Sequence, residues 1–357
     1  MKKYLVAITA LAILLASCTK VETVSSDRAI SFRSVAYSTM TKADTDYKQD
    51  YAAVPFGAYA WYKGANPADN SDFMVDQCVS YVGADNIWAP YGSTYYWPKS
   101  GALDFICYSP YGAAPAPAIS ESSINFNSWD VVANPGTDLM YSDKSAGLSG
   151  NQNTYYYDGV PVLFHHALAR VAFNVRLAYN EVVVAADDKT RWEIDVNSVS
   201  LLDLRFAGNL GLTLNGTTWD KPADNVWAND GSTVNVPLDT STIGTLADTT
   251  PRAIGAPFLV LPQLLDQGQL ISFNITIRTY RDLGSGYSLA LQEFDVPVTA
   301  ALTAPALDRW GINQYITYNF VLTPSKPAAS GSDPALITFD PAVEDWERID
   351  LVAEIQL

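Results

Sequence analysis

The most regular alternation in the sequence lies at residues 171–177. Apolar side chains occupy every second position there: Val171, Phe173, Val175 and Leu177. This period of two indicates a half-buried β-strand, because successive residues of a strand point to opposite faces of the sheet. We predict that this strand opens the second of two domains, since the residues before it form a long polar stretch.

Strand patterns recur at short spacing through the rest of the chain. They include LGLTL at 210–214, STVNVPL at 232–238, PFLVLPQ at 257–263, ISFNITIRTY at 271–280 and EFDVPV at 293–298. Gly, Asn, Asp and Pro separate them, and no long amphipathic helix is evident, which predicts an all-β fold of sandwich type. One slip in the alternation, at Asn197 and Ser198, predicts a β-bulge or a tight bend.

The first eighteen residues form a secretory signal of the lipoprotein kind. Two lysines precede an apolar stretch that is shorter than the roughly 20 residues of a membrane span, and Leu-Ala-Ser leads to Cys18. This ending resembles the bacterial lipobox, in which the cysteine is acylated and becomes the mature N-terminus. We therefore predict a signal peptide at 1–18, with lipid on Cys18 as the membrane anchor. The remaining length predicts two domains, at 19–160 and 161–357.

Charge and cysteine content argue against a nucleic-acid-binding protein and against a small disulfide scaffold. The formal net charge is -16, whereas a nucleic-acid partner needs a basic surface. Two cysteines, Cys78 and Cys107, remain after the signal, which is too few for a small disulfide scaffold. A single bridge between them is possible, but Cys107 alternates with apolar residues, which favours a buried free thiol.

No set of residues predicts catalysis, a metal site or a cofactor. His165 and His166 are adjacent, so on a strand they point to opposite faces and are not expected to share one metal ion. A glycosidase needs two carboxylates across a cleft, but the acidic residues are scattered in predicted loops. A G-x-S-x-G elbow for Ser-His-Asp chemistry is absent from the sequence.

Three segments of the N-terminal part are predicted to be strands. Residues 29–34 form a short one, in which Ile30 and Phe32 share a face, and a polar linker follows. Residues 54–62 form a central strand. The stretch 95–108 contains two runs separated by Pro-Lys-Ser-Gly, which predicts a hairpin.

The last nine residues, IDLVAEIQL, alternate again. The apolar positions are Ile349, Leu351, Ala353, Ile355 and Leu357. A terminal strand with such a face must join a sheet, either in its own domain or in a neighbouring molecule. We consider the neighbour's sheet the stronger interpretation, which makes these residues donor-strand candidates.

Six motifs along the chain resemble the fimbrillin family of anaerobic Gram-negative bacteria. They are the lipobox at Cys18, an I-x-F strand followed by T-K-A at 41–43, the block YYWP…LDFICYSPY, FHHALARVAF at 164–173, W-G-x-N-x-Y-x-x-Y-N-F at 310–320, and I-T-F-x-P-x-V-x-D-W at 337–346. The match covers nearly the whole chain, and the order and spacing of the motifs make it fairly specific.

The resemblance implies two transthyretin-like β-sandwich domains in tandem. It also implies export as an outer-membrane lipoprotein, removal of the N-terminal strand by a maturation protease, and polymerisation with other fimbrial subunits by strand donation. The basic residues near the removable strand are Arg28, Arg33 and Lys42. Lys42 departs from the family pattern, because an arginine-specific protease does not accept lysine.

A surface glycan-binding lipoprotein is the alternative from another class. Runs of aromatic residues, Tyr91-Tyr95-Tyr96-Trp97 and Tyr155-Tyr156-Tyr157, could form platforms for sugar rings. Aromatic residues on β-sheets are more often core or cross-strand residues, which favours the structural subunit over the glycan-binding protein.

Overall fold

The computed structural model describes residues 29–34, 53–83, 87–150, 159–186, 188–266, 268–284, 286–305, 307–324 and 347–356; for Ser34, Tyr287 and 347–356 it describes the backbone alone. The regular structure of these residues is β, apart from one 3-10 turn at Pro67–Asp69. The predicted all-β class is confirmed. Within the described part of the chain, no helix has the length and apolarity to cross a membrane.

The strands are numbered in chain order. Those of the first part are β1 (Phe32–Ser34), β2 (Phe56–Lys63), β3 (Ser71–Val82), β4 (Ile87–Pro90), β5 (Ala102–Ser109), β6 (Ala118–Ser120), β7 (Ser123–Asp130), β8 (Met140–Ser142), β9 (Ser145–Leu148), β10 (Val160–Val162) and β11 (Phe164–His166). Those of the second part are β12 (Ala169–Leu177), β13 (Glu181–Ala185), β14 (Asp188–Arg205), β15 (Ala207–Asn215), β16 (Thr218–Asp220), β17 (Ala228–Asn229), β18 (Thr233–Leu238), β19 (Thr245–Leu246), β20 (Arg252–Ala253), β21 (Phe258–Val260), β22 (Gln263–Leu264), β23 (Leu270–Leu283), β24 (Tyr287–Ala301), β25 (Arg309–Trp310), β26 (Gln314–Thr323) and β27 (Glu347–Gln356).

The N-terminal sheet begins and ends with strands that are consecutive in the chain. Its strand order is β10-β1-β4-β3-β2-β5-β8-β11, with β9 added beside β5. The two end strands, β10 and β11, are consecutive in the chain and only Leu163 separates them. Side chains of this sheet form an apolar core that includes Phe32, Phe56, Trp88 and Phe105.

Strands β2 and β5 form the centre of the N-terminal sheet. Phe56, Ala58 and Ala60 are buried on β2, which lies where a central strand is predicted at 54–62. Cys107 is buried on β5, and both Cys78 and Cys107 are free thiols, which confirms the predicted state of Cys107.

The predicted hairpin within 95–108 is wrong. Strand β5 pairs with β2 on one side and with β8 and β9 on the other, so neither edge is open to the preceding run. Instead, Tyr96 forms an isolated bridge with Ala29, and Trp97 is fully buried in the core.

A second sheet combines strands from both parts of the chain. Its order is β16-β15-β7-β6, with β17 beside β15, and its long pairing joins β7 to β15. An apolar core lies against it, and that core includes Phe126 from β7 and Leu210 from β15. Because this sheet crosses residue 160, the two parts share one of their layers, and the division at 160 and 161 stays a prediction.

The C-terminal part is a sandwich of two sheets. One has the order β20-β12-β26-β27 with β21 beside β12, and the other has the order β13-β14-β23-β24 with β18 and β19 beside β14. The alternation at 171–177 is confirmed, because Val171, Phe173, Val175 and Leu177 are all buried between the sheets. The bulge is confirmed as well, since the register of β14 against β23 shifts between Val196 and Ser198.

Candidate functional site: the groove occupied by β1

Strand β1 has a hydrogen-bonded neighbour on each side. It pairs in parallel with β10, where Arg33 stands opposite Pro161, and antiparallel with β4, where Phe32 stands opposite Trp88. The residues before it are also bonded: the N–H of Ile30 donates to the carbonyl oxygen of Tyr95 at 2.8 Å. A strand of three residues therefore fills the gap between two others.

The apolar side chains of the β1 segment are buried in the N-terminal core. Ile30 is 2% exposed and Phe32 is 1% exposed. The ring of Phe32 packs edge-on against Phe56 and Phe105, with centroids 5.6 and 5.7 Å away. Phe56 in turn contacts Trp88, so the pocket of Phe32 is aromatic on several sides. Its shape suits a large planar side chain better than a branched one.

Loss of β1 would open a groove with two kinds of binding surface. The unpaired edges of β4 and β10 would offer backbone N–H and C=O groups, and the pockets of Ile30 and Phe32 would offer apolar surface. Such a groove binds an extended strand that has apolar residues at alternate positions. We call this feature the β1 groove.

The predicted processing residues lie in and around β1. Arg33 is within the strand, and its Nε is buried without a hydrogen-bond partner among the described residues. The predictions for Arg28 and Lys42 concern residues outside the described part, as does the prediction for Cys18.

The C-terminal tail is placed beside its own sandwich. Strand β27 pairs in parallel with β26 over its full length, and Leu351 stands opposite the buried Tyr318. Ile349, Ala353 and Ile355 likewise stand at alternate positions of this register, while Leu357 lies outside the described residues. The donor-strand role of these residues stays a prediction, and the pairing with β26 is the arrangement of the tail in a single chain.

One of the predicted aromatic platforms is not assembled. Tyr91 is 73% exposed, whereas Trp97 is 0% exposed and packs against Phe105 in the N-terminal core. The run is therefore divided between surface and core. The run Tyr155-Tyr156-Tyr157 lies outside the described residues.

The two histidines each pair with a different aspartate. His165 Nε2 lies 3.0 Å from Asp143, and His166 Nδ1 lies 2.8 Å from Asp138. They lie on β11, on opposite faces of its pairing with β8, as adjacent strand residues must. Among the described residues, no group of three or more His, Cys, Asp or Glu side chains is arranged to hold a metal ion.

Sequence reasoning identified β1 and its anchors but missed their partners. The two strands that flank β1, β4 and β10, come from positions more than fifty residues downstream, and neither has an alternation long enough to be recognised. Gly159, directly before β10, was the available signal, because a glycine at such a place often marks a close approach of two backbones.

Comparison with known proteins places these observations in a family. A family model described as Fimbrillin-like matches residues 41–346. Among solved structures, a fimbrial protein from Bacteroides vulgatus has 13% sequence identity, with 92% of this chain and 98% of that chain covered and a TM-score of 0.52; this likeness shows the fold. A protein from Bacteroides uniformis, provisionally assigned to cell adhesion, has 13% identity, 92% and 98% coverage and a TM-score of 0.43. A search of curated proteins finds no match.

Proposed function

The chain belongs to the fimbrillin-like family, and from this we propose that it is a pilus subunit whose β1 groove is emptied by proteolysis and refilled by a strand from the next subunit. In this proposal the precursor is exported as a lipoprotein acylated on Cys18 and reaches the outer membrane. Assembled subunits form a fimbrium at the cell surface and contribute to adhesion.

The position of β1 is the observation that carries the proposal. A strand with neighbours on both sides normally cannot leave a sheet without unfolding it. Here only three residues are in the ladder, and twenty-one residues, 35–55, separate β1 from β2 in the chain. A cut in that linker would detach β1, while β4, β3, β2, β5, β8 and β11 keep their pairings and β10 is left with an unpaired edge.

Strand donation explains how such a subunit polymerises. The strand of one subunit enters the groove of the next, whose own strand enters a further groove, so the contact is head-to-tail and does not close. The result is a filament rather than a ring. Each junction gains a ladder of backbone hydrogen bonds together with two buried apolar side chains.

The position of the cut decides whether the groove is emptied. Cleavage after Arg28 would leave Ile30 and Phe32 on the mature chain, so the groove would stay filled. Cleavage after Arg33 would remove both anchors, but the bond lies inside β1, paired with β10. Cleavage after Lys42 would remove both anchors and lies beyond the strand. We therefore propose Lys42 as the site, and hence a protease that accepts lysine.

Mass spectrometry of subunits from purified surface filaments tests this proposal. We expect a mature chain that begins after Lys42 and lacks Ile30 and Phe32. The variant Lys42→Ala should leave the precursor uncut and abolish filaments, whereas the matched variant Arg28→Ala should leave both processing and filaments unchanged. Filaments built from chains that still begin at Cys18 would contradict the proposal.

The lipid anchor needs a separate experiment. Cys18→Ser should prevent labelling with fatty acid and prevent fractionation with the outer membrane, because the lipobox is the membrane signal that the sequence offers. Unchanged labelling in this variant would contradict the anchor but leave strand donation standing.

A further inference from the structure

We propose that the outward face of the sheet β16-β15-β7-β6 binds a neutral polysaccharide. This inference rests on the adhesive role in the proposed function, because it names the class of ligand for that role. The centre of the face is Gly211 on β15, and the side chains around it end in amides or hydroxyls. We call it the amide face, and its members are Ser123, Asn125, Asn127, Asn209, Gly211 and Thr213.

Alternation along β7 and β15 directs these side chains away from the core. The residues that alternate with them are buried in the apolar core on the other side of the sheet, namely Ile124, Phe126, Leu210 and Leu212. In the pairing of the two strands, Gly211 stands opposite Asn125 and Thr213 stands opposite Ser123. Ser123 and Asn125 are half-buried, and the other members are exposed. The amide face is therefore open to solvent.

The amide face has no charged member, unlike the outward face of β14 and β23. On those two strands the positions that alternate with buried residues are mostly charged. They include Lys189, Arg191, Glu193, Asp195, Arg278 and Asp282. Mixed charges of this kind keep an exposed sheet soluble. The amide face thus departs from the pattern that the same chain shows on its other solvent-facing sheet.

Acidic groups at the border of the amide face are bonded within the chain. Asp130 Oδ1 accepts two backbone N–H groups of its own turn, at 2.7 and 2.9 Å. Asp220 Oδ1 accepts from the amide of Asn215 at 3.2 Å. Glu121, in the turn between β6 and β7, lies 3.2 Å from Lys144 Nζ. Among the described residues, the border therefore adds no unpaired carboxylate to the face.

This composition decides among classes of ligand. Nucleic acids and acidic polysaccharides need basic side chains, and the chain has a net charge of -16. A protein partner gains affinity from aromatic, Met or Arg side chains at the centre of an interface, and the amide face has none. A membrane surface needs apolar or basic side chains. A neutral polysaccharide fits, because its hydroxyls both donate and accept hydrogen bonds, as amide and hydroxyl side chains do.

Three members of the amide face have unused hydrogen-bonding groups. The side chains of Asn125, Asn127 and Thr213 form no hydrogen bond with another described residue. Neighbouring strands are about 4.8 Å apart, and alternate residues of one strand are about 7 Å apart. The three side chains are therefore spaced to contact several hydroxyls of one sugar chain.

Gly211 leaves a gap in the amide face that the backbone does not require. Its φ is not positive, so other residues could adopt its conformation. A Cβ added there would stand 3.2 Å from Asn125 Oδ1, and a longer side chain would cover the amide of Asn125. A glycine inside a strand often marks the close approach of a ligand. We therefore assign the gap to a sugar ring.

Repetition along a filament strengthens such a site. A single polar face binds weakly, because each hydrogen bond to the ligand replaces one to water. In a filament every subunit presents the same face, so one long polysaccharide binds many subunits at once and the avidity exceeds the affinity of each.

Retention of protein-coated beads on immobilised polysaccharides tests the inference. The full chain with Cys18→Ser is coupled to beads through its lysines, none of which belongs to the amide face. The neutral probes are dextran, mannan and laminarin, and the acidic probes are alginate and heparin. We expect retention on at least one neutral probe and on neither acidic probe. Retention on no neutral probe, or equal retention on the acidic ones, would overturn the inference.

Two variants locate the binding on the amide face. Gly211→Leu fills the gap, and Asn125→Ala combined with Thr213→Ala removes an amide and a hydroxyl. Each variant should lower retention about tenfold or more, because the lost hydrogen bonds are multiplied over many subunits on a bead. The melting temperature should not fall, since the changed groups face solvent and bond to no described residue.

Matched controls change exposed positions of the C-terminal sandwich. They are Ala290→Leu for the first variant and Thr233→Ala combined with Gln292→Ala for the second. Both should keep retention within about twofold. Unchanged retention in both amide-face variants, or an equal loss in the controls, would overturn the inference.

Failure of this inference is distinguishable from failure of the proposed function. Coated beads need no polymerisation, so their retention reports the amide face alone, whereas electron microscopy reports assembly. Gly211→Leu should leave filaments intact, and their loss would assign the face to a contact between subunits and overturn the inference. Retention of beads by a chain that never forms filaments would refute only the proposed function.

Discussion

Gly159 lies directly against the backbone of Ser31. Its φ of +85° is in the left-handed region, and a Cβ added to it would stand 2.9 Å from the carbonyl oxygen of Ser31. The contact brings the start of β10 close enough for the N–H of Val160 to reach the same oxygen. Any strand that fills the β1 groove must lie equally close to Gly159. This glycine is therefore needed for strand binding both in the precursor and in the assembled state.

Gly159→Ala should destabilise the precursor by about 2–4 kcal/mol, because it adds a steric clash to the strain of a positive φ. The matched control is Gly92→Ala, since Gly92 has a φ of +77° and a Cβ added there would meet nothing within 4 Å. Gly92→Ala should lower the free energy of unfolding by about 1 kcal/mol. Urea unfolding measures both, and equal losses would show that the contact with Ser31 does not restrict this position.

Phe32→Ala should reduce the free energy of unfolding of the precursor by about 3–5 kcal/mol, because the residue is fully buried between aromatic rings. Phe294→Ala removes the same group from a position that is 45% exposed and should cost less than about 1 kcal/mol. Chemical denaturation of both variants compares them. Similar losses would mean that β1 contributes little to the core in solution.

A buried ion pair joins the N-terminal sheet to the turn before β9. Lys144 Nζ lies 3.0 Å from Asp104, with side chains 8% and 10% exposed. Lys144→Ala should lower the free energy of unfolding by about 3–5 kcal/mol, because it leaves the buried carboxylate of Asp104 without the lysine cation. Lys189 and Glu181 form an exposed pair, so Lys189→Ala should cost about 0.5 kcal/mol or less. Thermal melting distinguishes the two, and a small effect of Lys144→Ala would mean that water replaces the lysine.

Asp195 should contribute to the loss of folding stability at acid pH. The hydroxyl of Thr245 and then the guanidinium of Arg278 lower the pKa of its carboxyl below the ordinary value of 3.8. A carboxyl whose pKa is lower in the folded chain than in the unfolded chain stabilises the fold above its unfolded pKa. That stabilisation is lost as the pH falls through the folded pKa. Asp195→Asn should therefore flatten the fall of melting temperature below pH 3.8, with little change in slope at neutral pH. An unchanged acid slope would argue against this pairing.

Local patterns predicted the parts of the fold that local chemistry determines. Val171 to Leu177 alternate because the opposite sheet of the sandwich covers one face of β12, and the slip at Asn197 marks a bulge because an extra residue shifts the period of two. The anchors Ile30 and Phe32 were recognisable for the same reason.

Pairing between distant segments was not predictable from those patterns. Trp97 has aromatic neighbours in sequence that suggest a platform or a hairpin, but it is buried against Phe105, a residue of a strand with which its own segment does not pair. The partners of β1 were missed likewise, because a strand of three residues carries too little pattern to specify which edge it joins.

The shared sheet predicts that the two parts of the chain do not fold separately. Strand β7 pairs with β15, and the indole of Trp219 donates to the carbonyl oxygen of Ser142 at 2.8 Å across the same boundary. Residues 161–357 expressed alone would expose Leu210 and leave the edge of β15 unpaired, so we expect broad, poorly dispersed NMR spectra and aggregation. Co-expression with residues 19–160 should restore a soluble complex, because the edge and the apolar face would again be covered. A well-dispersed spectrum from the isolated part would contradict this expectation and support independent domains that meet at residue 160.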